Sequence, residues 1–494
     1  MNGRLILPLA LVLGCAEDDE LKDNDVDADA PTYYADARAI VDARCATCHQ
    51  DGDIGPFPLT TYDEVMAFSG PVLASIENGS MPPWQPSDEC NSFQGNIDLT
   101  ADEKDILIRW LDAGGPEGDP ADASESVAAD EPFAVDLSLQ LPEPYTPVRE
   151  PDDYRCQLIP WPEEETRYVT GLRVNPDQRS IVHHVIVFMV GPDQVAQYEA
   201  YDAAEEGPGY TCYGGPTAGE EGGFGEDLDP AQLFAVLEEV GLTIADLQAG
   251  NVSEEQLAAL LEAMDVSMPG GFGSLGSWVP GVPASPLPEG TGIRVEPGSM
   301  LVVQMHYNTL SSDPVPDQST IEIATAASVD REATNLPMVD VGWVTNGMFG
   351  DPMTIPAGEA EVSHATIAAF DSMLMASART TLGLPPDAPL VLHSANHHMH
   401  ELGVQQRSEI RHADGDDTCL LDIPDWDFNW QGAYTFSAPI TLQPGDAIWM
   451  GCTWDNSAAN QPVIDGEVRE PADVSWGEGT SDEMCLGAYY VTGE

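Results

Sequence analysis

Beyond residue 132 the chain breaks into short β-rich runs, among them Ile181 to Val190, Met300 to His306, Thr320 to Ala324 and Ala447 to Trp454, separated by frequent Pro and Gly. Short runs punctuated in this way predict antiparallel, jelly-roll-like β-sandwiches. One helical passage interrupts them. Pro230 to Val240 and Ser253 to Met264 carry apolar residues at helical intervals, and Ser253 with Gln256 can form a capping box. A helical insertion over about 228–266, covering a sandwich edge, is expected there. At 494 residues the chain exceeds what one hydrophobic core serves, so several domains are expected.

The N-terminal part reads differently. Cys45-Ala46-Thr47-Cys48-His49 is the attachment pattern of haem c, in which two thiols add to the vinyl groups and the adjacent histidine ligates iron. A thioredoxin-like pair or half a zinc site would not call for a histidine directly after the second cysteine, and no second Cys pair follows nearby. Ala37, Ile40 and Val41 stand at helical spacing ahead of the motif, as for a helix that delivers it. The sixth iron ligand is expected from Met81, in a loop stiffened by Pro82 and Pro83, with Met66 as the fallback. Thr100 to Glu103 opens an amphipathic helix with Ile106, Leu107, Trp110 and Leu111 on one side, stopped by Gly114-Gly115-Pro116. The acidic stretch from Glu117 to Glu131 reads as a linker.

Arg4, the apolar run Leu5 to Leu13 and then Gly14-Cys15 form a segment too short to span a bilayer but of signal-peptide length. Val12-Leu13-Gly14-Cys15 resembles a lipobox, with Cys15 as the lipidated residue. An exported protein is thus expected, lipid-anchored at the outer membrane and facing the periplasm or cell surface. With 85 acidic against 17 basic residues the formal charge is −68, which repels phosphate backbones and sets nucleic acid aside as a partner. Of nine cysteines, Cys15, Cys45 and Cys48 are accounted for. Cys90, Cys156, Cys212, Cys419, Cys452 and Cys485 remain as disulfide candidates in an oxidising compartment, and spacing leaves their connectivity open.

The expected layout is multidomain: a lipoprotein signal over 1–15, an acidic tether over 16–31, a small all-α cytochrome c-like domain over 32–125, and two antiparallel β-sandwich domains over 132–312 and 313–494.

Most of the ten histidines fall in three groups: His183-His184, His306, and His397-His398-Met399-His400. His398 and His400 are two apart, so on a strand they face one side and can chelate one ion. His183 and His184 would point to opposite faces of a regular strand and could share an ion only through a bulge or different ring nitrogens.

These residues resemble the copper type II, ascorbate-dependent monooxygenases, which include dopamine β-monooxygenase and peptidylglycine α-hydroxylating monooxygenase. By that resemblance, which spans Asp152 to the C-terminus, His183, His184 and His306 would hold an electron-transfer copper. His398, His400 and Met484, the last in Asp482-Glu483-Met484-Cys485, would hold an oxygen-activating copper. Imidazoles suit copper that changes oxidation state, and a thioether favours Cu(I). The resemblance also implies bridges Cys452–Cys485 and Cys156–Cys212. Cys90 with Cys419 is left as a conceivable interdomain pair. His364, His393, His397 and His412 take no family role, although His397 could orient a ligand from behind.

The expectation is an enzyme, a copper monooxygenase with two coppers and haem c, hydroxylating an activated C–H bond of a small molecule with dioxygen. The fused haem would bring electrons at high effective concentration from a periplasmic donor, without free ascorbate. Asn396, Leu486 and Ala488 stand where peptide-amidating members carry other residues, which argues against a peptide substrate and leaves a neutral or cationic small molecule. The rival reading is a non-catalytic periplasmic haem and copper protein for electron transfer or copper binding.

Overall fold

A computed structural model describes residues 30–494 without 47, 51–54, 124–132, 213–214, most of 219–272, 280–284, 310–311, 348–349, 414, 429, 465–466, 478 and 480. The expected signal segment with Cys15, nearly all of the tether and nearly all of the helical insertion lie outside the described residues. No described helix is long and apolar enough to cross a membrane.

Alternation builds the strands. In Ala447–Trp454 the side chains of Ile448, Met450, Cys452 and Trp454 are buried while the residues between them are partly covered, the period of a strand with one face on a core. Met300–Asn308 is buried at every position but the last. It can be so because it runs inside a five-stranded sheet between Asp152–Pro160 and Val182–Val190, which supply its edge partners.

The largest sheet has nine strands. Its path runs through Leu137–Gln140, Thr320–Ala326, Arg167–Asn175, Thr291–Val295, Arg331–Met338, Leu486–Gly493, Leu390–His398 and Ala433–Leu442. One apolar cluster, with Val169, Ile293, Leu301, Val303 and Ile321, fills the space between this sheet and the five-stranded one. A second, with Leu392, Ile410, Leu421, Met450, Trp454 and Val491, lies between it and a four-stranded sheet of Val362–Ala369, Ala447–Trp454, Gly403–Arg411 and Thr418–Ile423.

The expected fold class is corrected on two points. First, the chain is mostly β, 36% strand against 18% helix, and no distinct all-α cytochrome c domain stands at its front. The expected helix is there, Ala101–Asp112 with a capping box between Thr100 and Glu103, and its Trp110 packs with Tyr33 and Val65. The loop ahead of it, however, is built into the β part. Cys90 is bonded to Cys419, Phe93 forms a bridge with Phe436, and the Trp84 ring meets Tyr434 edge-on at 5.4 Å. These rings gain their cover from a remote strand, so the loop between the helices belongs to the core of the β part. Second, the β part is not two separate antiparallel sandwiches. The nine-stranded sheet takes strands from both halves, and Arg331–Ala333 runs parallel to Thr291–Ile293.

Three disulfides close, Cys90–Cys419, Cys156–Cys212 and Cys452–Cys485, with S–S lengths of 2.03, 2.08 and 2.06 Å. Such bridges fit an oxidising, extracytoplasmic compartment.

Candidate metal centre

His184 and His306 sit directly opposite each other on neighbouring strands, and the register slips between Val182 and His184. His183 is therefore an extra residue, and the irregularity turns both adjacent histidines to one side, as a regular strand could not. The Nδ1 atoms gather. That of His184 lies 3.4 Å from Nδ1 of His183 and 3.2 Å from Nδ1 of His306. Metal–nitrogen bonds of about 2.0 Å at near-tetrahedral angles separate ligand nitrogens by roughly 3.3 Å. The three residues form a group able to hold a metal ion.

Their surroundings prepare them for it. His306 Nε2 donates to Asp152 Oδ1 at 2.9 Å, which assigns the proton to Nε2 and leaves the Nδ1 lone pair for a ligand. Asn308 Nδ2 holds the same carboxylate oxygen at 3.0 Å, and Tyr154 stacks on the His306 ring at 4.1 Å. Burial, and next the neighbouring His306, pushes His183 down to about 3 and His184 well below its ordinary value, so both stay neutral donors.

The second set is polarised the other way round. His398 ends the strand Leu390–His398, and its Nδ1 donates to Gln431 Oε1 at 2.5 Å. His400 Nδ1 donates to the Asp482 carbonyl at 3.0 Å. Both rings thus offer Nε2, with centroids 5.1 Å apart. Burial holds His398 low and His400 at about 3.

Met484 is buried, and its chain neighbours meet the histidine segment. Leu486 pairs with His398 across the sheet, and Cys485 is tied to Cys452. Glu483 clamps the two segments together. Its carboxylate accepts from His400 N at 3.0 Å, Leu402 N at 2.6 Å and Trp454 Nε1 at 2.8 Å, and burial pushes the group up to about 7. A soft thioether together with two imidazoles would suit copper rather than a hard cation.

The haem motif keeps its chemistry open. Neither Cys45 nor Cys48 is part of a disulfide, and Cys45 is pushed up to about 12 first by burial and then by Cys48. His49 Nδ1 donates to the Phe57 carbonyl at 3.0 Å, which leaves Nε2 as the available ligand. A side chain at Gly55 would strike this ring, its Cβ falling 2.6 Å from Nδ1, so glycine there keeps room around the imidazole. Met66 is packed against Gly115 and Trp110, whereas Met81 stands half-buried in its loop.

The remaining histidines have other duties. His397 faces the opposite side of its strand and meets Ser408 Oγ at 2.9 Å, so it does not orient a ligand of this centre. His393 meets Thr492, His364 the Thr354 carbonyl, and His412 both Thr418 and Asp446. Sequence reasoning passed over Asp152, Gln431, Glu483 as a clamp, and Phe428, whose ring lies 5.2 Å from His183 and 5.8 Å from His400. None of them stands in a pattern that marks it.

The chain matches no protein-family model and no curated protein.

Proposed function

We propose that the chain is a copper-dependent monooxygenase, hydroxylating an activated C–H bond of a small molecule with dioxygen and fed with electrons through haem c on Cys45 and Cys48. One observation carries this reading: two unlike sets of imidazoles lie on either side of one aromatic ring, Phe428, 5.2 Å from His183 and 5.8 Å from His400. His183, His184 and His306 would hold one copper through Nδ1, and His398, His400 and Met484 the other. Bound copper would supply dioxygen binding and one-electron chemistry, and bound haem would supply the electrons.

The residues fit this division of work. His49, through Nε2, and Met81 would hold the iron. Three residues beyond Met81, Trp84 touches Tyr434, which pairs with Ala395 on the His398 strand. Trp84 and Tyr434 would thus link the loop of Met81 to the strand that ends at His398. A cavity of about 380 Å³ beside the His400 turn is lined by Glu401, Asp425, Trp426, Asp427 and Phe428, and this lining suits a neutral or cationic small molecule. Attachment to the outer membrane through lipid on Cys15 belongs to the same proposal.

The test is to incubate reduced, copper-loaded protein with a library of exported small molecules and to follow oxygen uptake together with the mass of every component. A gain of one oxygen atom coupled to uptake is expected. Uptake without product, or none at all, would favour the non-catalytic metal carrier.

A further inference from the structure

The two histidine sets belong to different sheets, and a single side chain touches both. The Phe428 ring lies 5.2 Å from that of His183 at an interplanar angle of 25°, and 5.8 Å from that of His400 at 76°. Both separations are ordinary aromatic contacts, one stacked and one edge-on. We propose that Phe428 is a positioning residue that fixes the separation of the two histidine sets. This rests on the two-copper reading above.

The loop that carries the ring is fastened where it would have to be. Gln431 Nε2 donates to the Phe428 carbonyl at 2.9 Å, while Gln431 Oε1 accepts from His398 Nδ1. Trp426 Nε1 donates to the His400 carbonyl at 3.2 Å, and its own backbone N–H donates to Val404 at 3.0 Å. Gln85 Nε2 reaches the Asp427 carbonyl at 3.0 Å from the N-terminal segment. Trp426, Phe428 and Gln431 are therefore fastened to His398 and His400, and the Phe428 ring stacks on His183 of the other set. Fastened on one side and stacked on the other, the ring acts as a spacer. An apolar spacer also keeps the local dielectric low, which favours neutral imidazoles over protonated ones. Phe428 also lines the cavity beside the His400 turn.

The experiment compares wild-type protein with Phe428→Ala, Phe428→Leu and Phe428→Tyr, each loaded with Cu(II), by copper analysis and continuous-wave EPR. All four are expected to keep two coppers. The wild type and Phe428→Tyr should share one dipolar broadening, Phe428→Leu should lie between, and Phe428→Ala should show weaker and more heterogeneous coupling. Unchanged coupling in Phe428→Ala with both coppers retained would overturn the proposal. Proton NMR of the metal-free protein reads the ring independently: stacking on Phe428 should shift the His183 ring protons upfield, and Phe428→Ala and Phe428→Leu should abolish the shift. Absence of that shift in the wild type overturns the spacer role even if two coppers bind. Fewer than two coppers in the wild type, with the ring shift present, overturns the two-copper reading while leaving Phe428 as the contact between the two histidine sets.

Discussion

Asp152 and His306 sit on adjacent strands with carboxylate and imidazole 2.9 Å apart, so the proton of the ring is committed to Nε2 and the lone pair on Nδ1 faces His183 and His184. Removing such a partner from a ligating histidine typically costs about 10–100-fold in metal affinity. Asp152→Ala should lower copper affinity at the three-histidine site by that order and leave the other site unchanged. His306→Ala should remove one copper of the two. Copper competition on each variant checks both, and equal losses at both sites would contradict two independent sites.

Met484 distinguishes a redox copper site from a generic histidine site. A thioether stabilises Cu(I) and adds little to Cu(II), so Met484→Ala should spare Cu(II) binding, weaken Cu(I) binding and abolish hydroxylation. If the side chain only packs, the same substitution would cost on the order of 2–5 kcal/mol of stability and leave the Cu(I) preference alone. Cu(I) competition and thermal unfolding on one preparation separate the outcomes.

The metal-free protein should lose stability in acid. His183, His397 and His400 are each held at about 3 by burial, against an ordinary value of 6.5. Between these limits the unfolded chain takes up protons that the folded one refuses, so the stability is whole above about 6.5 and falls as pH drops towards 3. Glu483, raised to about 7, has the opposite sign: its contribution is present at low pH and is lost as pH rises through 7. The histidines outnumber it, and Tm should decline below about pH 6.5. His397→Gln should flatten the decline. A profile independent of pH across this window would refute the account.

Covalent haem should be present once per chain in protein matured with an active haem-ligation system. Cys48→Ala should sharply lower it and leave the histidine-bearing β part folded, because the neighbouring Cys45 packs against the cluster of Tyr33, Val65 and Trp110 and not in the cores between the sheets. Haem staining after denaturing electrophoresis reads the result, and an unstained wild type would end the haem reading.

Spacing and pattern alone determined several elements. A short β-rich run marked Ala447–Trp454, the Thr100 and Glu103 pair marked a helix start, and the adjacency of His183 and His184 called for a bulge or different ring nitrogens if both were to share an ion. These are local consequences of strand and helix periodicity, which a sequence carries in itself. Which residues meet across the fold was decided only in three dimensions. Asp152 lies 154 positions from His306, Gln431 lies 33 from His398, and Cys90 bonds a cysteine 329 positions away. Contacts of that range depend on the order of strands in a sheet, and period does not encode order. For the same reason the expected free-standing helical domain did not hold: the loop after Met81 looks self-sufficient in sequence, yet Trp84 and Phe93 bury themselves against Tyr434 and Phe436, on a strand that no local pattern links to them.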